Sequence, residues 1–316
     1  SANEWVAPVL DAAYISHLQY PSPLAAGGPT VMLTHRNLMH NAELLRRVLQ
    51  CSADDRLASH AGPDEPLGLV FGLILPLLPR AYSCQPDPMQ WLRLISNGLA
   101  TIAAASDDVY ARCVAQAKTR PPDGIDLGSL RLALHGPSPR RTETVEGFGR
   151  VFAEYGFDPG RFYPFHASPE ATLIIAGGGR ATSPRYATFH ADELAEGVAR
   201  LVRCPSGVRL TSRGQPLPGQ GMRIVDPAYG TVCGAGEVGE IWVSSASVAA
   251  GYWPNTPGCA GRFESYLPTG EGPFLRTRDR GFLLGGELFI LPRRGRLRPF
   301  GDKRTIRMIP ALALLR

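Results

Sequence analysis

The strongest constraint on the fold is an alternation. Through the first half of the chain, short apolar runs of strand length are each followed by a stretch with helical spacing. Val31-Met32-Leu33 reads as a short apolar strand. Thr34 can cap a helix running to about Gln50, with Leu38, Leu45, Val48 and Leu49 on one face. Asp87-Pro88 starts a helix over Met89 to Asn97, Gly98 is placed to stop it, and Leu99 to Ala105 follows as a buried strand. Leu130 to Leu134 is another strand, and Thr142 to Tyr155 another helix. This order implies an α/β layer whose sheet is largely parallel and flanked by helices.

After about residue 185 the pattern changes. Met222 to Val225 and Glu240 to Ser244 are β-rich and are separated by the turn segment Asp226-Pro-Ala-Tyr-Gly230. The expected fold is therefore an α/β unit over residues 1–185, a smaller β-rich, barrel-like unit over 186–292, and a tail at 293–316. Of the 316 residues 44% are hydrophobic, enough for a substantial core.

Several function classes are disfavoured at this point. The longest apolar run, Leu67 to Leu78, carries Pro76 and is too short to span a bilayer, so it reads as a buried strand or helix. With no secretory signal at Ser1 to Leu10, a cytoplasmic, membrane-free protein is expected. The six cysteines form no Cys-x-x-Cys pair, which argues against zinc and for buried thiols. No Gly-x-Ser-x-Gly elbow marks a hydrolase, and Gly177-Gly-Gly179 lacks the spacing of a phosphate loop. Net charge is +5, yet the tail from Arg293 alone holds eight Lys or Arg against Asp302, so the remainder is slightly acidic. Only Phe300 interleaves those charges, so nucleic-acid binding is not expected.

Four segments, in order and nearly in register, carry a more specific signal. They are Leu18-Gln-Tyr20 with Val31-Met-Leu-Thr-His-Arg-Asn-Leu38; Phe162-Tyr-Pro164 with Glu170-Ala-Thr-Leu173 and Gly177-Gly178; Gly214-Gln-Pro-Leu-Pro-Gly-Gln220 with Met222-Arg-Ile-Val-Asp226; and Gly239-Glu-Ile-Trp-Val-Ser244 with Ser247-Val-Ala-Ala-Gly-Tyr-Trp253 and Gly270-Glu-Gly-Pro-Phe-Leu-Arg-Thr277. Together they resemble fatty acyl-AMP ligases of the adenylate-forming superfamily. The resemblance implies the fold of the central part of that family's N-terminal domain.

It also assigns chemistry to positions. The family's glycine- and hydroxyl-rich loop, which cradles phosphates on backbone N–H groups, aligns with Tyr20-Pro-Ser-Pro-Leu-Ala-Ala-Gly-Gly-Pro-Thr30. Pro21, Pro23 and Pro29 offer no N–H there, Pro29 holds the lysine position, and Ser22 remains as a hydroxyl. The family's His-Asp segment aligns with Glu65-Pro66. The resemblance further places His166 against a nucleotide ring, Glu170 as a magnesium ligand, and Asp279 and Arg293 on the ribose. The family's hinge aligns with Pro292-Arg-Arg-Gly-Arg296, and the sequence ends at Arg316 before any counterpart of the mobile domain and its lysine.

Taken alone, these departures imply a non-catalytic homologue with no cofactor and no metal. Its expected role is structural or interactive in a polyketide, lipopeptide or other acyl-carrier pathway, through self-association or a protein partner such as an acyl-carrier protein. Two other readings stay open: an acyl-group or carrier-arm binding module without activation, and a split ATP-dependent adenylating enzyme completed in trans.

Overall fold

The computed structural model describes residues 9–20, 29–75, 80–82, 87–136, 142–178, 186–203, 207–254 and 260–292. Pro21, Ser22, Pro23, Arg293 and the basic tail lie outside them, as do Cys84, Cys204 and Cys259.

The chain opens with strands β1 (Ile15–Gln19) and β2 (Thr30–Thr34), then helix α1 (His35–Val48). Thr34 closes a reciprocal capping box: its Oγ1 accepts from the Asn37 amide, while its own amide donates to Asn37 Oδ1. After β3 (Arg56–Ser59) the apolar run is helical, as α2 (Pro66–Leu69) and a π turn over Val70–Ile74. Apolarity alone does not separate a buried strand from a buried helix; Pro66 at the first helical position favours the latter. Next come β4 (Arg80–Tyr82), α3 (Pro88–Gly98), β5 (Ile102–Ala105), α4 (Asp107–Thr119), β6 (Leu132–His135) and α5 (Thr142–Phe152). Asp87 caps α3 by accepting from the Met89 and Gln90 amides. The helix runs through Gly98, and Leu99 takes the left-handed C-cap conformation with φ 50°, so the strand starts later than the apolar run suggested.

The later elements are β7 (Phe162–Ala167), β8 (Ile174–Gly177), β9 (Tyr186–Phe189), α6 (Ala191–Ala195), β10 (Val208–Thr211) and β11 (Gln215–Pro216). They end with β12 (Gly221–Val225), β13 (Gly239–Ser244), β14 (Gly251–Trp253), α7 (Ala260–Phe263), β15 (Leu275–Leu284) and β16 (Glu287–Ile290). One sheet of seven strands runs β11-β8-β7-β6-β5-β3-β4, parallel from β4 to β7 and antiparallel at β8 and β11. A curled antiparallel sheet runs β12-β13-β15-β16, β9 pairs with β10, and β1-β2-β14 form a third antiparallel sheet. The expected α/β class, with a mostly parallel sheet and a smaller β-rich part, is the observed one.

The parallel strands are buried on both faces, which is why they read as continuous apolar runs. Side chains alternate between two cores. Ala58, Ala103, Ala105 and Ala133 face Trp91, Tyr110, Phe148 and Phe152 of α3, α4 and α5. Leu57, Ile102, Leu132 and Leu134 face the opposite side, with Leu45, Phe71, Ile241 and Val243 in the same core. Small strand residues lie under large rings on one face, and mostly branched residues fill the other. Cys51 and Cys113 are buried free thiols, as small hydrophobes are, and Cys233 is half-buried. No helix of the described residues is long and apolar enough to cross a membrane.

Candidate functional site

The seven-stranded sheet and the curled sheet meet at the end of β7 and the middle of β15. In β15 the register against β13 slips: Glu240 pairs with Arg280 and Trp242 with Arg276, leaving Thr277, Arg278 and Asp279 opposite Ile241 alone. Such a bulge re-aims side chains. It is pinned by Thr277, whose Oγ1 donates to the Ile241 carbonyl (2.8 Å) and accepts from the Asp279 amide (3.1 Å), and by the Arg278 amide donating to Glu240 Oε1 (3.1 Å). Asp279 is thereby carried to β7, where its Oδ2 lies 3.2 Å from His166 Nε2. Both side chains are buried. That separation suits an ion pair, but neither ring nitrogen is aligned for a directional hydrogen bond among the described residues.

Glu170 lies on the turn Pro169–Ala171 between β7 and β8. Ser168 Oγ donates to its Oε2 (2.5 Å), and the Tyr252 hydroxyl (2.7 Å) and Arg262 Nη2 (2.8 Å) donate to its Oε1. Burial, with the Glu170 carboxylate beside it, pushes the Tyr252 phenol far above its usual range. The segment leading into β14 is held by α1. Asn37 Nδ2 donates to the carbonyls of Ala246 and Val248 (2.8 Å each), and Asn41 Nδ2 donates to the Ile174 carbonyl and Ser247 Oγ (3.2 Å each). Thr172 Oγ1 donates to the Ser247 carbonyl at 2.7 Å, which sets the Ala249 amide 2.9 Å from the Glu170 carbonyl.

Two non-glycine residues here are held at positive φ: Thr172 at 69° and Arg278 at 63°. Such strain costs roughly 1–3 kcal/mol per residue and persists where the surroundings over-determine it, often at functional sites. Glu65, at the α2 N-cap, has its carboxyl raised by burial and by Asp64.

The structure thus brings His166 and Asp279 into contact and sets Glu170 in a separate, internally paired cluster. Pro29 is exposed just before β2. Arg262, Tyr252 and Asn41 were not singled out from the sequence. Tyr252 lay inside a recognised motif with no role attached, Asn41 followed one, and Arg262 stood in a stretch with neither periodicity nor motif.

Comparison with known proteins gives these residues a setting. The AMP-binding enzyme family model matches residues 30–253. The medium-chain-fatty-acid–acyl-carrier-protein ligase JamA of Moorena producens is 33% identical over 92% of this chain, and the 4-hydroxyphenylalkanoate adenylyltransferase of Mycobacterium tuberculosis is 30% identical over 88%. The match takes in 51% and 47% of those two proteins, so the chain spans about half the length of the curated relatives it matches. The fatty acyl-adenylate ligase of Legionella pneumophila, solved with acyl adenylate and pyrophosphate, superposes with a TM-score of 0.87 at 30% identity, over 92% of this chain and 53% of that one. The adenylation domain of a keto acid-selecting NRPS module shares the fold at 20% identity and a TM-score of 0.77.

These relatives correct one expectation. A non-catalytic homologue, a pseudoenzyme, was inferred from the altered loop at 20–30 and from the end of the sequence; the matched proteins are ligases, which indicates an enzyme. Three prolines remove three N–H groups from that loop, but Ser22, Leu24, Ala25, Ala26, Gly27 and Gly28 retain theirs. With the family model spanning most of the chain, this protein belongs to the AMP-binding enzyme family and stands close to the fatty acyl-AMP ligases.

Proposed function

We propose that this chain forms the adenylating core of a fatty acyl-AMP ligase. The reaction is attack of a fatty carboxylate oxygen on the α-phosphorus of ATP, giving the acyl adenylate and releasing pyrophosphate. The acyl group is then passed to an acyl-carrier protein, the acceptor in JamA's name.

The observation that carries this reading is His166. A buried imidazole with neither nitrogen in a directional hydrogen bond is costly, by roughly 1–3 kcal/mol per unsatisfied group, and calls for an explanation. A bound nucleoside supplies one, with a polar edge of the base meeting a ring nitrogen of His166 and Asp279, brought alongside by the bulge, accepting from ribose hydroxyls. The similarity to a structure that holds an acyl adenylate supports the same placement. The strained backbone at Thr172 and Arg278 is consistent with a site whose geometry is fixed before ligand arrives.

The test is product analysis. The protein, purified from its native host and incubated with ATP, magnesium and fatty acids of graded length, is expected to yield acyl-AMP detectable by mass spectrometry. Tight fatty-acid binding with no acyl-AMP from any chain length would instead support an acyl-binding module.

A further inference from the structure

The Glu170 cluster draws on three parts of the chain. Glu170 comes from the turn after β7, Tyr252 from β14 and Arg262 from α7. The guanidinium has anchors of its own besides the carboxylate. Arg262 Nε donates to the Arg276 carbonyl at 3.1 Å, Nη1 donates to the Tyr252 hydroxyl, and the group lies over the Tyr252 ring, 5.3 Å from its centroid. Its side chain is 12% exposed and that of Glu170 8%, so the pair is shielded from water.

The family resemblance makes Glu170 a magnesium ligand, and the residues present do not fit that role. A hard divalent cation takes about six oxygen donors, usually with more than one anionic group among protein and substrate. Oε1 of Glu170 accepts from Tyr252 and Arg262, and Oε2 accepts from Ser168. No group of three His, Cys, Asp or Glu among the described residues could hold a metal ion. A cation entering on Oε1 would also stand against a fixed guanidinium in a region of low dielectric, where like charges repel strongly.

We infer that Arg262 is the resident counter-cation of Glu170, and that this carboxylate positions Arg262 and Tyr252 instead of ligating a metal. The inference deepens the proposed function, on which its catalytic meaning rests. A divalent cation bound with the nucleotide would then take its oxygen ligands from the phosphates and other groups, with none from Glu170. Arg262 is a positioning residue, linking the turn after β7 to the strand that carries the Thr277 to Asp279 bulge.

The test is manganese binding without nucleotide, followed by electron paramagnetic resonance, for wild type, E170Q, R262K, R262Q and the E170Q/R262Q double variant, each checked for native circular dichroism. Wild type, E170Q and R262K are expected to bind Mn²⁺ indistinguishably. R262Q should gain affinity at least tenfold, and the double variant should lose that gain. A tenfold loss in E170Q alone, or a folded R262Q with no gain, overturns the inference. Should R262Q not fold, the wild-type and E170Q comparison decides. Failure to make acyl-AMP would count against the proposed function and leave these readings unchanged, since no nucleotide is present.

Discussion

His166 Nε2 and Asp279 Oδ2 lie 3.2 Å apart although they belong to different sheets, one on β7 and the other on the bulge of β15. The contact exists because the bulge turns Asp279 towards the seven-stranded sheet while Thr277 holds the bulge to Ile241. If Asp279 receives ribose hydroxyls, replacing it by Ala removes a charge-assisted hydrogen bond worth roughly 1.5–3 kcal/mol. KM for ATP in Asp279→Ala should rise about 10- to 100-fold. Asp279→Asn, which keeps the shape and one acceptor, should lose less; steady-state kinetics of acyl-AMP formation compares the two.

Arg278 is exposed and held at φ 63°, a conformation that costs an L-residue about 1–2 kcal/mol and glycine nothing comparable. Glycine also gives back roughly 0.5–1 kcal/mol through its looser unfolded state. Arg278→Gly should therefore stabilise the fold by about 0.5–1 kcal/mol, read as a higher urea midpoint at unchanged slope. A lower midpoint would mean that the arginine side chain makes contacts outweighing its backbone strain.

Asp55 ties the end of α1 to the start of β6. Arg131 reaches both of its oxygens at 2.8 Å and also donates to the Leu49 carbonyl at 3.0 Å, while Thr101 Oγ1 donates to Asp55 Oδ1 at 2.7 Å. Burial by itself would raise the Asp55 carboxyl, but Arg131, the Ser52 amide and Thr101 together hold it well below the usual carboxylate range. A carboxyl depressed in the folded state contributes stability above its unfolded pKa, near 4, and loses that contribution as pH falls towards the folded value. Wild-type stability should fall between about pH 4 and pH 2. In Asp55→Asn that acid limb should flatten, with a loss of about 1–3 kcal/mol at neutral pH because Arg131 keeps only part of its partnership. Denaturant titrations at stepped pH measure both effects.

The parts of the fold that were legible in the sequence are those set by local chemistry. Thr34 and Asn37 share a cap, Asp87 caps a helix whose first residue is Pro88, and strands buried on both faces announce themselves by being apolar throughout. Pairings between distant segments were not legible. Nothing local to Thr30 to Thr34 says that Gly251 to Trp253 will lie beside it, because the register is set by the packing of the whole domain. The site divides in the same way. His166, Glu170 and Asp279 were found through motifs, whereas Arg262 emerges only when α7 docks its guanidinium on Glu170. Loop composition alone points to a non-catalytic homologue, whereas the matched relatives are ligases and the core keeps His166 and Asp279 together.

The most direct measurement of the central claim is ATP–pyrophosphate exchange, which reports reversible acyl-adenylate formation and needs no acyl acceptor. With the folded protein from its native host, exchange should depend on added fatty acid, vary with chain length, and fall in Asp279→Ala. Exchange at background level for every fatty acid, from protein with native circular dichroism, would contradict the assignment of this chain as an acyl-adenylating core.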